Sequence, residues 1–426
     1  MKTPRWFNRN RVLSNARIIA ALVLILAAAV MAFIAASPRA VAQQATAPTT
    51  ETRVETETIH QAEIMPEEPD PEAPDPAATV YTVPYATVRS GKNDNSNYDL
   101  KVIITQPAAC TSANPTCIAQ VGVHGGGWVE GKPVAASADW TGSEIVVFNI
   151  EYRMPCNPNN AGFANAAHLC PAGCDASSHL LPGNNLCDLH RYPVPLIDVR
   201  TALKWVSLNA ASYGANPNKL ICKGASAGGH LCMLAATWDN ANSIGLTPAE
   251  KASVVAAGTV KPDYVISISG PLNHEIADQY RRGIFASAPY DSTPYSFPRI
   301  GVRDYAVRNR ENLINLSGQF SLDRWKDASP WWHAQANETK GMLLFSSKGE
   351  IIANRYETLS VNKKTTNLDS KVESCVVEGL DHVHENNPIN LYGDPDPALC
   401  EITDTTKWTM TKTAYAREWL LGRSSW

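Results

Sequence analysis

The sequence predicts an α/β fold: a mostly parallel central sheet flanked by helices, with cap or loop insertions. Two observations carry that expectation. From about residue 79 onward, short apolar runs of strand length alternate with stretches of helical spacing, the order that builds a parallel sheet covered on both faces. Two glycine-rich motifs, His124-Gly125-Gly126-Gly127-Trp128 and Gly224-Ala225-Ser226-Ala227-Gly228-Gly229, each follow one of those runs.

The runs read as follows. Residues 101–105, 119–123 and 144–152 are expected strands, and 220–222 is a short strand leading into Gly224. Residues 264–268, 342–345 and 372–377 complete the strand set. Val199, Leu203, Val206 and Leu208 recur at helical spacing within 198–213, and 226–238 is apolar and rich in good helix formers. A closing helix is expected over 409–421. Two segments break the rhythm: 154–192, dense in Cys, Asn, Gly, Pro and His, and 271 to about 328, rich in aromatics. Loops of that size in a compact domain are usually functional, so both are expected to wall the active site.

The chain divides into three parts. Residues 1–42 read as a signal peptide or an N-terminal membrane anchor. Lys2, Arg5, Arg9, Arg11 and Arg17 precede an uncharged apolar run over 18–36, and Ala40-Val41-Ala42 has the small-x-small pattern of a cleavage site. Either reading puts the rest of the chain outside the cytoplasm, because the positive flank stays inside. Residues 43–78 are rich in Pro, Glu, Asp, Thr and Ala and read as a disordered linker. Residues 79–426 form the expected catalytic domain. The net charge of −4 gives no basic footprint for nucleic acid.

Ten cysteines agree with export, since disulfides persist in oxidising compartments. Cys110 with Cys117 and Cys375 with Cys400 are expected bridges. Cys156, Cys170, Cys174 and Cys187 crowd the first insertion, and together with its histidines they match no zinc-ribbon or finger spacing, so disulfides are favoured there over a metal. Cys222 and Cys232 flank the Ser226 motif in apolar sequence and read as buried free thiols.

The chemistry follows from the two motifs. Consecutive glycines present backbone N–H groups with no side chain in the way, which suits an oxyanion hole. A serine between glycines at a strand-to-helix turn stands exposed as a nucleophile. A serine hydroxyl is weak at neutral pH, so it needs an imidazole base, and the base needs a carboxylate to hold its tautomer. After such an elbow the acid and then the histidine follow along the chain. Glu350 is the first carboxylate after the strand at 342–345, with Asp369 its rival. His382 comes just after the strand at 372–377 and the Gly379 turn, with His384 its rival. His124 reads as a brace for the oxyanion loop, and His230 as a hydrogen-bonded structural residue.

Together these residues resemble the α/β-hydrolases, specifically the HGGG-bearing carboxylesterase branch that includes hormone-sensitive-lipase-like, feruloyl and acetyl-xylan esterases. The resemblance runs through His124–Trp128, Asn149-Ile150-Glu151-Tyr152-Arg153, Tyr192-Pro193, Asp198, Tyr213-Gly214-Ala215-Asn216-Pro217, Gly224–His230 and Asp327-Ala328-Ser329-Pro330. It implies an α/β-hydrolase fold, Ser226 as nucleophile, and the N–H groups of Gly126, Gly127 and Ala227 as oxyanion hole. It implies no cofactor. The family commonly has aspartate at the acid position behind a His-Gly pair, whereas this chain has Ser346-Ser347 and Glu350. The resulting expectation is an exported serine carboxylester hydrolase, with Ser226, Glu350 and His382 as triad. Its substrates would be short-chain or aryl-acyl esters, on small molecules or polysaccharide, with membrane contact only through the N-terminus. Cleavage of an amide by the same triad, or a non-catalytic binding module, are the alternatives.

Overall fold

Among the described residues eight strands form one sheet in the order β1-β2-β4-β3-β5-β6-β7-β8. They are β1 (Thr79–Arg89), β2 (Asn97–Gln106), β3 (Cys117–Val123), β4 (Ile145–Ile150), β5 (Ala215–Ala225), β6 (Tyr264–Ile268), β7 (Gly341–Ser347) and β8 (Val372–Val377). From β4 through β8 every neighbouring pair is parallel, and β1 and β2 add an antiparallel edge. The computed structural model describes residues 78–89, 97–155, 190–275, 310, 313–314, 321–335, 339–348, 355–366, 372–378, 382 and 385–423. All of them fall within the unit Ala62–Trp426. The N-terminal segment and linker, and most of both expected wall insertions, lie outside the described residues.

β3, β6 and β7 are buried along their whole length, as central parallel strands must be when helices cover both faces. Strand alternation sorts their side chains into two cores. Val121, Phe148, Cys222, Val265 and Leu344 face one side, covered by α2 (Val194–Asn209), α3 (Ala227–Thr237) and α4 (Pro248–Ala257). Val147, Ile221, Ile266 and Phe345 face the other, where Trp140 of α1 (Ala138–Thr141) and Trp419 of α8 (Lys412–Leu421) pack. Short helices α5 (Leu322–Asp327) and α6 (Pro330–His333) precede β7, and α7 (Arg355–Thr366) joins β7 to β8.

The expected strands and helices are all present, with shifted ends. β1 was not anticipated, because Pro84 interrupts its alternation; the strand tolerates proline because it is an edge and changes register between Pro84 and Ala86. β5 starts five residues before the expected strand, absorbing Asn216-Pro217-Asn218-Lys219 as an irregularity opposite Ile118/Ala119.

Disulfides join Cys110 to Cys117 and Cys375 to Cys400, the two pairings anticipated. The expectation for Cys222 and Cys232 was wrong. They are bonded to each other, with Cα atoms 5.5 Å apart, and among the described residues no cysteine is free. The reason is the turn between them. Four residues back along the strand cover about 13 Å and six forward along the helix about 9 Å, so β5 and α3 fold face to face and bring the two sulfurs together. Non-reducing peptide mapping should return this cross-linked pair, and Cys222→Ala/Cys232→Ala should lower stability to denaturant by about 3 kcal/mol. Two free thiols in the oxidised native protein would overturn the assignment.

Candidate active site

The site lies at the carboxyl ends of the parallel strands, where β3, β5 and β8 each release a loop. β5 ends at Ala225 and α3 begins at Ala227, leaving Ser226 to make the whole reversal. Its backbone stands at φ 50° and ψ −122°, a region that costs a non-glycine residue about 1–3 kcal/mol unless its surroundings impose it. The surroundings do: Ser226 N–H donates to the Ile268 carbonyl at the end of β6 (2.8 Å), and the Ser226 carbonyl accepts from His230 N–H (3.0 Å), opening the helix. The glycines around it are steric necessities. A Cβ on Gly228 would stand 1.9 Å from the Val123 carbonyl oxygen, and one on Gly224 would stand 2.3 Å from the Gly228 carbonyl carbon.

That contact sets the first turn of α3 against the end of β3, where the HGGG loop begins. Gly126, Gly127 and Trp128 all have positive φ (103°, 57° and 64°), and the Gly126 carbonyl accepts from both Val129 and Glu130 N–H at 3.0 Å. None of the backbone hydrogen bonds among the described residues uses the N–H of Gly126 or Gly127. Ala227 is the first residue of α3, so its N–H has no partner within the helix. The positive end of the helix dipole points the same way. Trp128 closes the loop by donating its indole N–H to His230 Nδ1 on α3 (3.1 Å).

His382 Nε2 stands 3.0 Å from Ser226 Oγ, across 156 residues of sequence. Of the predicted site residues, the structure therefore brings together Ser226, His382, Ala227 and, through the Gly228–Val123 contact, the Gly126–Gly127 loop. Glu350, Asp369 and His384 lie outside the described residues.

The other histidines near the site do different work. His124 Nδ1 pairs with the Gly125 carbonyl (2.8 Å), its ring stacks on Tyr152 at 4.4 Å, and burial pushes its pKa down to about 4. His230 is fully buried and accepts from Trp128, which places its proton on Nε2, 2.8 Å from the Ala328 carbonyl. Burial holds its pKa at about 3. His274 Nε2 lies 3.1 Å from His230 Nε2; burial, then the neighbouring His230 and Arg310, keep it well below the usual value. Sequence reasoning overlooked His274, as well as Lys223 and Glu385, which meet as an ion pair. The available signal for Lys223 was a cation between the apolar run Leu220-Ile221-Cys222 and the glycine-rich Ser226 motif.

This is the α/β-hydrolase fold: a mostly parallel sheet, a strained serine elbow after its central strand, and a histidine beyond its last strand. Residues 185–363 match the BD-FAE family model. Over 130 residues the chain is 37% identical to Esterase LipQ of Mycobacterium tuberculosis (strain ATCC 25618 / H37Rv), covering 30% of each protein. Over 106 residues it is 35% identical to Probable carboxylic ester hydrolase LipM of the same organism, covering 24% of this chain and 23% of the relative. The chain thus spans less than a third of the length of these curated relatives. Among solved structures it is similar to the propionate-bound Est2 esterase of Thermogutta terrifontis, with 20% identity and a TM-score of 0.46, covering 81% of this chain and 94% of that one.

The buried neutral imidazoles make stability depend on pH. In the unfolded chain these rings take protons near pH 6.5, whereas folded His124 and His230 resist until about 4 and 3. Between those values the unfolded state binds more protons, so their contribution is complete above pH 6.5 and is lost as pH falls toward 4 and 3. Thermal melting should show Tm dropping over that window, less steeply for His230→Gln than for the wild type. A Tm flat from pH 7 to 4 would contradict it.

Proposed function

We propose that the chain is an exported serine carboxylester hydrolase working through an acyl-enzyme. The observation that carries this reading is the 3.0 Å contact between His382 Nε2 and the hydroxyl of Ser226 on a strained elbow. The BD-FAE match and the curated relatives named as esterases support the reaction class.

Ser226 Oγ attacks the ester carbonyl while His382 Nε2 takes its proton. The tetrahedral oxyanion forms in front of the N–H groups of Gly126, Gly127 and Ala227, each donor being worth about 3–4 kcal/mol where mutation has measured one. His382 returns the proton to the departing alcohol. Water then repeats the sequence on the acyl-enzyme and releases the acid. Glu350 holds the His382 tautomer and stabilises the imidazolium. Glutamate is chemically competent for that task. The substrates are short-chain or aryl-acyl esters, small or attached to polysaccharide, and no cofactor or metal takes part.

The export reading rests on the basic and apolar sequence of 1–42, with 43–78 as spacer and 79–426 as catalytic domain. The three disulfides among the described residues support an oxidising compartment. Among the described residues no helix is long and apolar enough to cross a membrane.

An organophosphonate should label Ser226 and abolish turnover of p-nitrophenyl acetate, and Ser226→Ala should lower kcat by about 10⁴-fold or more. Labelling elsewhere, or an active enzyme that resists labelling, would refute the mechanism. Glu350→Gln should cost far more activity than Asp369→Asn, and the opposite ranking would move the acid to Asp369. Faster turnover of aryl formamides than of aryl esters would make the enzyme an amidase.

A further inference from the structure

β5 and β8 are not neighbours: β6 and β7 stand between them, so the strand ends are about 14 Å apart at ordinary strand spacing. His382 must nevertheless reach Ser226 from the end of β8 at Val377. Five residues of extended chain span at most about 17 Å, so the distance is within reach. Among the described residues no strand beyond β8 supports the chain around His382, so a contact on its far side bears on its position.

The far end meets β5 itself. Three residues after His382, the Glu385 carboxylate is in direct contact with Lys223 Nζ, and Lys223 lies three residues before Ser226. Lys223 and Glu385 are 13% and 25% exposed at the side chain, so the pair is largely withdrawn from water and less screened than a surface pair. Lys223 is itself aimed: its ammonium lies over the Trp140 ring, 4.7 Å from the centroid. Glu385 is aimed too, since its carbonyl accepts from Thr413 N–H (3.0 Å) and Thr413 Oγ1 (3.2 Å). Both partners are thus held in place before they meet.

We propose that Lys223 and Glu385 are positioning residues, whose ion pair ties the loop carrying His382 to the strand carrying Ser226 and thereby sets the Ser226–His382 contact. A second pair, Lys348–Glu378 at 2.7 Å, joins the ends of β7 and β8 and steadies the near side of the same loop. The proposal rests on Ser226 and His382 being nucleophile and base. Neither lysine nor glutamate touches substrate; they act by holding the imidazole within reach of the hydroxyl.

The test is a double-mutant cycle in the full chain on p-nitrophenyl acetate, reading kcat and KM separately alongside Tm. Lys223→Met and Glu385→Gln should each lower kcat about tenfold with KM within about twofold, because only transition-state geometry is disturbed. The double variant should be no worse than either single, as expected when one shared interaction is lost. Lys223→Arg keeps the cation over Trp140 and should retain most of kcat. Lys407→Met, which breaks the exposed Lys407–Glu418 pair, serves as control and should leave kcat unchanged. If Lys223→Met fails to fold, Glu385→Gln alone carries the test from the more exposed end. Single variants with kcat near wild type, or losses that multiply in the double, overturn the clamp while the triad stands. Wild-type turnover that survives Ser226→Ala overturns the triad and the clamp with it.

Discussion

The contact on which the site depends is between a helix and a strand end, with no side chain between them. Gly228 approaches the Val123 carbonyl so closely that any Cβ would overlap it. Because α3 can advance that far, its first turn lies against the start of the HGGG loop. The sharp reversal this requires falls on Ser226, which takes a backbone conformation that only a rigid frame makes tolerable. β6 supplies that frame through the Ile268 carbonyl, so the strain at the nucleophile is maintained by the parallel sheet.

A second layer keeps this arrangement from relaxing. Trp128, His230 and the Ala328 carbonyl form a hydrogen-bonded line from the HGGG loop through α3 to the end of α5. The line needs His230 neutral, because Nδ1 must accept while Nε2 donates, and burial enforces that state. His124 is kept neutral by the same cause. Desolvation thus separates two classes of imidazole. Those packed beneath the loop are hydrogen-bonding struts. His382, the described histidine that meets the Ser226 hydroxyl, is part-buried.

Much of this was legible because the relevant signals are local. Glycines at 224 and 228 around a serine announce a close approach, and strand-length apolar runs announce a parallel sheet. Even the pairing of Ser226 with His382 could be reached, since chain order follows from the fold. What escaped was relational. Cys222 and Cys232 look like small core residues until the reversal at Ser226 places them opposite each other. Glu385 looks like a solvated carboxylate in a polar stretch until the fold sets it against Lys223. β1 was hidden by Pro84, which argues against a strand everywhere except at an edge.

The last residues of β5 show how one strand can be held from both sides. Strand alternation sends Cys222 to one face of the sheet and Lys223 to the other. The covalent link to α3 lies on the first face, in a dry core where both sulfurs are fully buried. The ionic link to the His382 loop lies on the second, beside Trp140. The two attachments differ in kind for a physical reason. The turn from β5 into α3 must never open, because it carries the strain at Ser226, and a disulfide limits the unfolded chain as well as bracing the folded one. The side that carries His382 is held instead by a pair that water can partly reach, which supplies direction without permanence.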